Sequence, residues 1–257
     1  MQARTRLVFE EFFIFSAGLQ MLRDVRCDES AVPCDISGAD AFEAALPFRL
    51  TGAQQRAIRD VLRDMASGRP MNRLVQGDVG SGKTMIAAAA AFCAAKNGLQ
   101  TAFLVPTEIL ARQHFASLRA LMSCFSIETV LLTGSMPAAE KRRVKEAIAS
   151  GEAKLILGTH ALLSGDVAFQ SLGLVIADEQ HRFGVGQRAA LAAKGRSPHL
   201  LVMSATPIPR TLALIAYGDL DISVVDELPP GRQTIDTFLV GERLRQRVHA
   251  FLRRQCA

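Results

Sequence analysis

Six short apolar runs punctuate the middle of the chain, and none of them alternates strictly with polar positions. They are "RLVQ" (73–76), "TAFLVP" (101–106), "ETVLLT" (128–133), "KLILG" (154–158), "LGLVIAD" (172–178) and "HLLVMSAT" (199–206). A strand with one wet face alternates apolar and polar side chains. A continuous run instead marks a strand covered on both faces, as in a parallel sheet between two layers of helix. Between the runs the spacing predicts helices over 83–96, 107–122 and 137–149, the last with Pro137 near its first turn. This strand–helix alternation predicts an open α/β fold with right-handed crossovers.

The flanks read differently. Leu7, Phe12, Phe15, Leu19 and Leu22 recur at near-helical spacing, which predicts an amphipathic N-terminal helix that packs on protein. Glu10 and Glu11 interrupt that apolar stretch, which is too short to cross a bilayer, so it predicts neither a signal peptide nor a membrane span. Residues 27–47 mix turn formers with a short helical stretch and read as a connector. Beyond residue 226, "ELPPGR" (227–232) resembles an interdomain linker, followed by one strand-like run, "TIDTFLV", and one helical run, "ERLRQRVHAFLRRQ". A single strand and helix cannot bury their apolar faces alone. The expected organisation is therefore an N-terminal helix and connector (1–47), one α/β lobe (48–227), and a linker with the truncated start of a second lobe (228–257).

Composition changes this picture little. Of 257 residues, 49% are hydrophobic and 21% charged, enough apolar material for a sizeable core and too little charge for global disorder. A formal net charge of +5 is compatible with a polyanionic partner without requiring one. Cys27, Cys34, Cys93, Cys124 and Cys256 form no CxxC pair and no zinc-spaced cluster, so reduced thiols in a cytoplasmic protein are expected.

Candidate chemistry begins with "QGDVGSGKT" (76–84), which joins a predicted strand to a predicted helix and fits GxxxxGK[ST] from Gly77 to Thr84. Glycines at 77, 80 and 82 let the backbone curl so that N–H groups converge on phosphate oxygens, with Asp78, Val79 and Ser81 completing the loop. The helix N-terminus adds partial positive charge. Lys83 can reach the β- and γ-phosphates of a nucleoside triphosphate, and the Thr84 hydroxyl can ligate Mg²⁺. A chance glycine-rich turn is the plainer reading, and the strand–loop–helix context disfavours it.

Further along, "LVIADEQH" places an acidic pair at the end of a buried strand. In an open α/β sheet that is the ligand-binding edge. Asp178 is the candidate to hold Mg²⁺ through water, and Glu179 to orient and deprotonate an attacking water. Alone, such a pair is an ordinary solvated turn; the upstream phosphate loop gives it a catalytic meaning.

These segments resemble the motifs of the DExH branch of superfamily 2 helicases and translocases. "DEQH" is similar to motif II, "FRLTGAQQRAI" (48–58) to the adenine-recognising segment with Phe48 and Gln54 at the matching positions, and "VPTEILARQH" (105–114) to motif Ia. "LLTGS" (131–135) resembles the glycine motif, "GTHALL" (158–163) motif Ib, and "SATPIPRT" (204–211) motif III. "DEQHRFGVGQR" and "SATPIPRTL" resemble both RecG and Mfd-like translocases, whereas "RLVFEE" and "AYGDLDISVVDELPPGR" (216–232) resemble the RecG family in particular.

The resemblance implies a RecA-like P-loop NTPase lobe, a mostly parallel sheet with helices on both faces. It implies ATP and Mg²⁺ as cofactors, and DNA translocation that remodels stalled forks and Holliday junctions in repair and recombination. The implied partners are branched double-stranded DNA, a second RecA-like lobe carrying an arginine finger, and a wedge domain; no membrane is implied. Lys83, Asp178, Glu179, Gln180 and His181 are the implied catalytic set. Gln180 and His181 would report the γ-phosphate state to Ser204 and Thr206 of motif III.

For the DNA backbone, the implied contacts are Thr107, Arg112, Thr133, Gly134, Thr159 and His160, with Arg210 as a coupling residue beside Arg182 and Arg188. Hydroxyls, helix-start N–H groups and an arginine suit sequence-independent gripping. Each has a plainer alternative: Thr107 as an N-cap, Thr133–Gly134 as a turn, His160 as a packed histidine. The basic run "EKRRVKEAI" (140–148) reads as a solvated helix face. A P-loop kinase would share the glycine loop but not "DEQH" followed by "SAT". An Mfd-like repair translocase and a non-catalytic nucleotide- or DNA-binding lobe are the remaining alternatives.

Overall fold

A computed structural model describes residues 2–27, 30–178, 191, 193–205, 220–229 and 237–255. A helix, α1 (Gln2–Cys27), precedes a connector that carries the short α2 (Ala39–Ala44). There follow α3 (Gly52–Ala66), β1 (Asn72–Gly77), α4 (Lys83–Lys96), β2 (Gln100–Leu104), α5 (Glu108–Ser123), β3 (Thr129–Leu132) and α6 (Ala138–Ala149). Next come β4 (Leu155–Gly158), a 3₁₀ turn (His160–Leu163), β5 (Leu172–Ala177), β6 (His199–Ser204), β7 (Asp221–Val225) and, last, α7 (Arg245–Gln255).

The seven strands form one sheet in the order β3-β4-β2-β5-β6-β1-β7, and all their pairings are parallel. Because side chains alternate across a strand, each apolar run feeds two cores. Phe103, Leu157, Leu174, Ile176 and Met203 face one layer with α3, α4 and α5. Leu104, Ile156 and Val175 face the other, packing with Ile148 of α6 and Leu162 of the 3₁₀ turn. The expected doubly covered α/β sheet is borne out.

Helix α4 shows how burial overrides amphipathicity: nine of its residues from Ile86 to Ala94 are buried, so it is apolar all round. Small alanines let it lie close on the sheet. Helix α3 begins at a capping box in which Thr51 and Gln54 each accept the other's backbone N–H.

Three expectations need correction. β7 was not anticipated. It is an edge strand whose polar Ser223 is buried and bonded to Arg73 and Asp60, so it lacks the apolar signature of the interior strands. Residues 237–240, from the run "TIDTFLV", have no strand pairing, and Phe238 and Leu239 are exposed; residues 234–236 lie outside the described set. Helix α1 forms, but Leu7 and Phe12 are exposed together with Val8, Phe9, Phe13 and Ile14, so this part of the helix does not pack on the other described residues. The side chains of Phe15, Leu19 and Leu22 are outside the described set.

Candidate functional site

β1, β6 and β5 are neighbours and parallel, so their carboxyl ends share one edge of the sheet. Three predicted motifs therefore meet there. The phosphate loop leaves β1 at Gly77, Ser204 of motif III ends β6, and Asp178 of motif II directly follows β5. Gln76 and Ser204 are in register, and two strand spacings, roughly 10 Å, separate the ends of β1 and β5.

The loop's shape follows from its glycines and from one glutamine. Gly80 and Gly82 have φ values of 80° and 84°, in the left-handed region that disfavours a Cβ. Gly77 carries a different constraint, because a Cβ there would lie 2.6 Å from Ser81 Oγ and 3.0 Å from Val225. Ser81 is fully buried, whereas Asp78 and Val79 are exposed at the tip. Lys83 donates its ammonium to the carbonyl oxygens of Gly77 at 2.7 Å and Asp78 at 2.9 Å. The cation thus lies along the loop, bonded to its backbone. Thr84 follows in the first turn of α4 and is half-buried.

Gln54 is 2% exposed and its Nε2 donates to Ser81 O at 2.7 Å, while its Oε1 accepts from Thr51 N at 2.9 Å. Its amide thereby fastens the start of α3 to the phosphate loop. Phe48, half-exposed just ahead of α3, leaves an aromatic face open to solvent.

Asp178 donates its N–H to Leu104 O, continuing the β5–β2 ladder by one residue. Its side chain is 13% exposed, and Oδ2 lies 3.2 Å from His114 Nε2. Hard oxygen ligands from a carboxylate and a hydroxyl suit Mg²⁺, which usually takes few protein ligands and completes its shell with phosphate and water. Among the described residues no cluster of three or more His, Cys, Asp or Glu could cage a metal; the Asp178 carboxylate and the Thr84 hydroxyl are oxygen donors of the type Mg²⁺ takes. Glu179, Gln180, His181, Thr206 and Arg210, with Arg182 and Arg188, lie outside the described residues.

A second grouping lies at the same edge, beyond β2. β2, β4 and β3 end side by side, which brings the Ia, Ib and glycine motifs together. Glu108 accepts from Ser135 N at 3.0 Å and from the Ser135 hydroxyl. A Cβ on Gly134 would lie 3.8 Å from His160 Nε2. Lys141 donates to Gly134 O. Hydrogen bonds from Ser135, first from its side chain and then from its backbone, hold the Glu108 carboxyl below its ordinary value, and the Arg112 charge adds to the effect.

The predicted backbone contacts divide on burial. Arg112 and His160 are exposed, as is Gly134. Thr107 is the N-cap of α5, its hydroxyl accepting from Leu110 N at 3.3 Å, so its plainer reading is realised. The Thr133 and Thr159 side chains are 0% and 2% exposed, and neither hydroxyl has a hydrogen-bond partner among the described residues. As placed, those two hydroxyls are shut off from solvent and so from a phosphodiester. His160 is a surface residue rather than a packed core histidine.

Glu108 and His114 were not singled out from the sequence. Their signals were present: an acidic residue directly after an N-cap, and a polar ring three positions from buried Ala111 and four from buried Leu118 on the inner stripe of α5.

The DEAD/DEAH box helicase profile matches residues 51–215, more than half of the chain, and the chain belongs to that family. Its similarity to individual members is greater still. The ATP-dependent DNA helicase RecG of Thermotoga maritima is 48% identical over 256 residues, covering 99% of this chain and 33% of that protein. RecG of Streptococcus pneumoniae is 53% identical over 239 residues, covering 92% of this chain and 35% of that protein. A solved structure of RecG bound to a three-way DNA junction superposes with a TM-score of 0.85 at 46% identity, covering 98% of this chain and 34% of that one. The chain spans about a third of the length of these relatives. The resemblance to RecG expected from the motifs is borne out.

Proposed function

We propose that this chain is the ATP-binding motor lobe of a RecG-type DNA helicase, an ATP hydrolase coupled to movement on branched DNA. The observation that carries the reading is the meeting of the phosphate loop, Ser204 and Asp178 on one sheet edge. In this reading the loop N–H groups and Lys83 hold the phosphates, and Lys83 exchanges two carbonyl partners for phosphate oxygens. Thr84 and Asp178 would hold Mg²⁺, which when bound would neutralise charge developing on the phosphoryl group. Glu179 positions and deprotonates water, while Gln180 and His181 relay the phosphate state to Ser204 and Thr206. Phe48 and Gln54 face the adenine side, with Gln54 also bracing the loop.

On the neighbouring edge, Arg112, Gly134 and His160 form the exposed part of a DNA-backbone surface, with Thr107 contributing the first turn of α5. Arg210 serves coupling. The Thr133 and Thr159 hydroxyls act there only after a local rearrangement. The lobe occupies 48–227, consistent with β7 ending at Val225, with 1–47 leading in and 228–257 leading toward a second RecA-like lobe. That lobe, a wedge domain and branched DNA are the proposed partners, in the cytoplasm. No helix among the described residues is long and apolar enough to cross a membrane.

An arginine supplied across a motor cleft contributes ~10³–10⁵ in rate in related phosphoryl transfers. Tested apart from such an arginine, this lobe should bind Mg·ATP and turn it over slowly. The test is Mg·ATP binding and turnover with and without a model fork, beside Lys83→Ala. Lys83-dependent binding with slow turnover supports the proposal. Fast, fork-stimulated turnover by the lobe alone would refute the assignment of that arginine to another lobe, and nucleotide binding indifferent to Lys83 would refute the site.

A further inference from the structure

The hydrogen bond between His114 and Asp178 joins two motifs otherwise given separate tasks, one on the DNA side and one on the nucleotide side. Its geometry follows from the fold. Helix α5 starts at the carboxyl edge after β2 and runs back along the sheet, so residue 114 lies about 10 Å along the helix axis from Thr107. Helical side chains tilt toward the N-terminus, which carries the His114 ring back up toward the edge where β5 ends. Phe103 of β2, in register with Ile176 of β5, lies beneath it with ring centroids 5.4 Å apart and planes inclined at 37°. Phe103 is fully buried, and the His114 side chain is 18% exposed.

The His114 Nε2 lies within hydrogen-bond distance of Asp178 Oδ2; an ionised carboxylate only accepts hydrogen bonds, so a protonated Nε2 would be the donor. An apolar residue could fill the same space against Phe103, but it could not donate. We propose that His114 is a positioning residue for the motif II carboxylate: its Nε2–H fixes Oδ2 of Asp178 and presets the carboxylate for a Mg²⁺-bound nucleotide. Groups that hydrogen-bond a metal-holding carboxylate restrict its rotation and typically contribute 10–100-fold to metal affinity. His114 touches neither substrate nor metal in this role.

The inference rests on the nucleotide site proposed above, and two substitutions test it. His114→Phe keeps an aromatic ring against Phe103 and removes the donor; His114→Gln removes the ring and keeps an amide donor of similar reach. The readout is affinity for a fluorescent ATP analogue with Mg²⁺ and with chelator, expressed as their ratio, alongside thermal midpoints. For His114→Phe the Mg²⁺ contribution should fall by about 10–100-fold, and His114→Gln should recover most of it. A role confined to packing would give the reverse order, with Phe resembling wild type and Gln impaired, and that outcome overturns the inference. An unchanged ratio in both variants also overturns it. Failure of wild type to bind the analogue in a Lys83-dependent way would remove the nucleotide site itself, a result distinct from either.

Discussion

The side-chain amide of Gln54 donates to the carbonyl oxygen of Ser81 at 2.7 Å, linking positions 27 residues apart in the chain. Both residues are buried, so the bond has no water to replace it. Leaving a buried carbonyl unsatisfied costs about 1–3 kcal/mol. Gln54→Ala should therefore lower stability by about that amount and loosen the phosphate loop, weakening nucleotide binding. Chemical denaturation and fluorescent-nucleotide titration measure the two effects. A loss of nucleotide affinity with no loss of stability would mean that Gln54 acts through the base alone.

Gly82 occupies the N-cap of α4 with φ at 84°, and a Cβ there would sit 2.1 Å from Gln54 Nε2. Gly82→Ala combines left-handed strain, about 1–2 kcal/mol, with displacement of that amide. The expected outcome is nucleotide binding at least tenfold weaker while the parallel sheet remains folded. Circular dichroism and titration would separate the two. Binding equal to wild type would show that the loop tolerates another path.

Glu108 supplies a pH signature. Hydrogen bonds from Ser135 depress its carboxyl in the folded protein. Such a shift stabilises the fold fully above the unfolded glutamate value of about 4.3 and is lost as pH falls through the lower folded value. Wild type should melt above Glu108→Gln at pH 7, and the gap should close as the pH is lowered through and below about 4. A gap independent of pH over that range would show that the Glu108–Ser135 pairing draws nothing from ionisation.

Arg73 holds the unanticipated edge strand. Its Nε donates to Asp64 at 2.6 Å and its Nη1 to Ser223 at 2.8 Å, with the Arg73 side chain only 11% exposed. Arg73→Met leaves Asp64 and Ser223 without that donor and should cost about 2 kcal/mol, the scale of hydrogen bonds to charged groups. Amide exchange should accelerate first in β7. Uniform acceleration across the sheet would mean that β7 does not open separately.

The sequence by itself determined the sheet's interior and marked the glycine-rich loop proposed to hold nucleotide. Doubly buried strands must be apolar throughout, and a phosphate loop needs glycines, a lysine and a hydroxyl at fixed offsets, so both leave marks that no other role imitates well. Strand order left no such mark. That motifs II and III and the loop converge, and that the Ia, Ib and glycine motifs form a neighbouring group, follows only from the order β3-β4-β2-β5-β6-β1-β7. Local pattern also failed where tertiary contacts replace burial of carbon. β7 is recruited through Arg73 and Ser223 rather than through an apolar run. Thr133 and Thr159 carry polar atoms that their neighbours cover, and Glu108 and His114 matter through partners 27 and 64 residues away. A hydrogen bond between distant residues depends on the position of both, and position is what the folded sheet supplies.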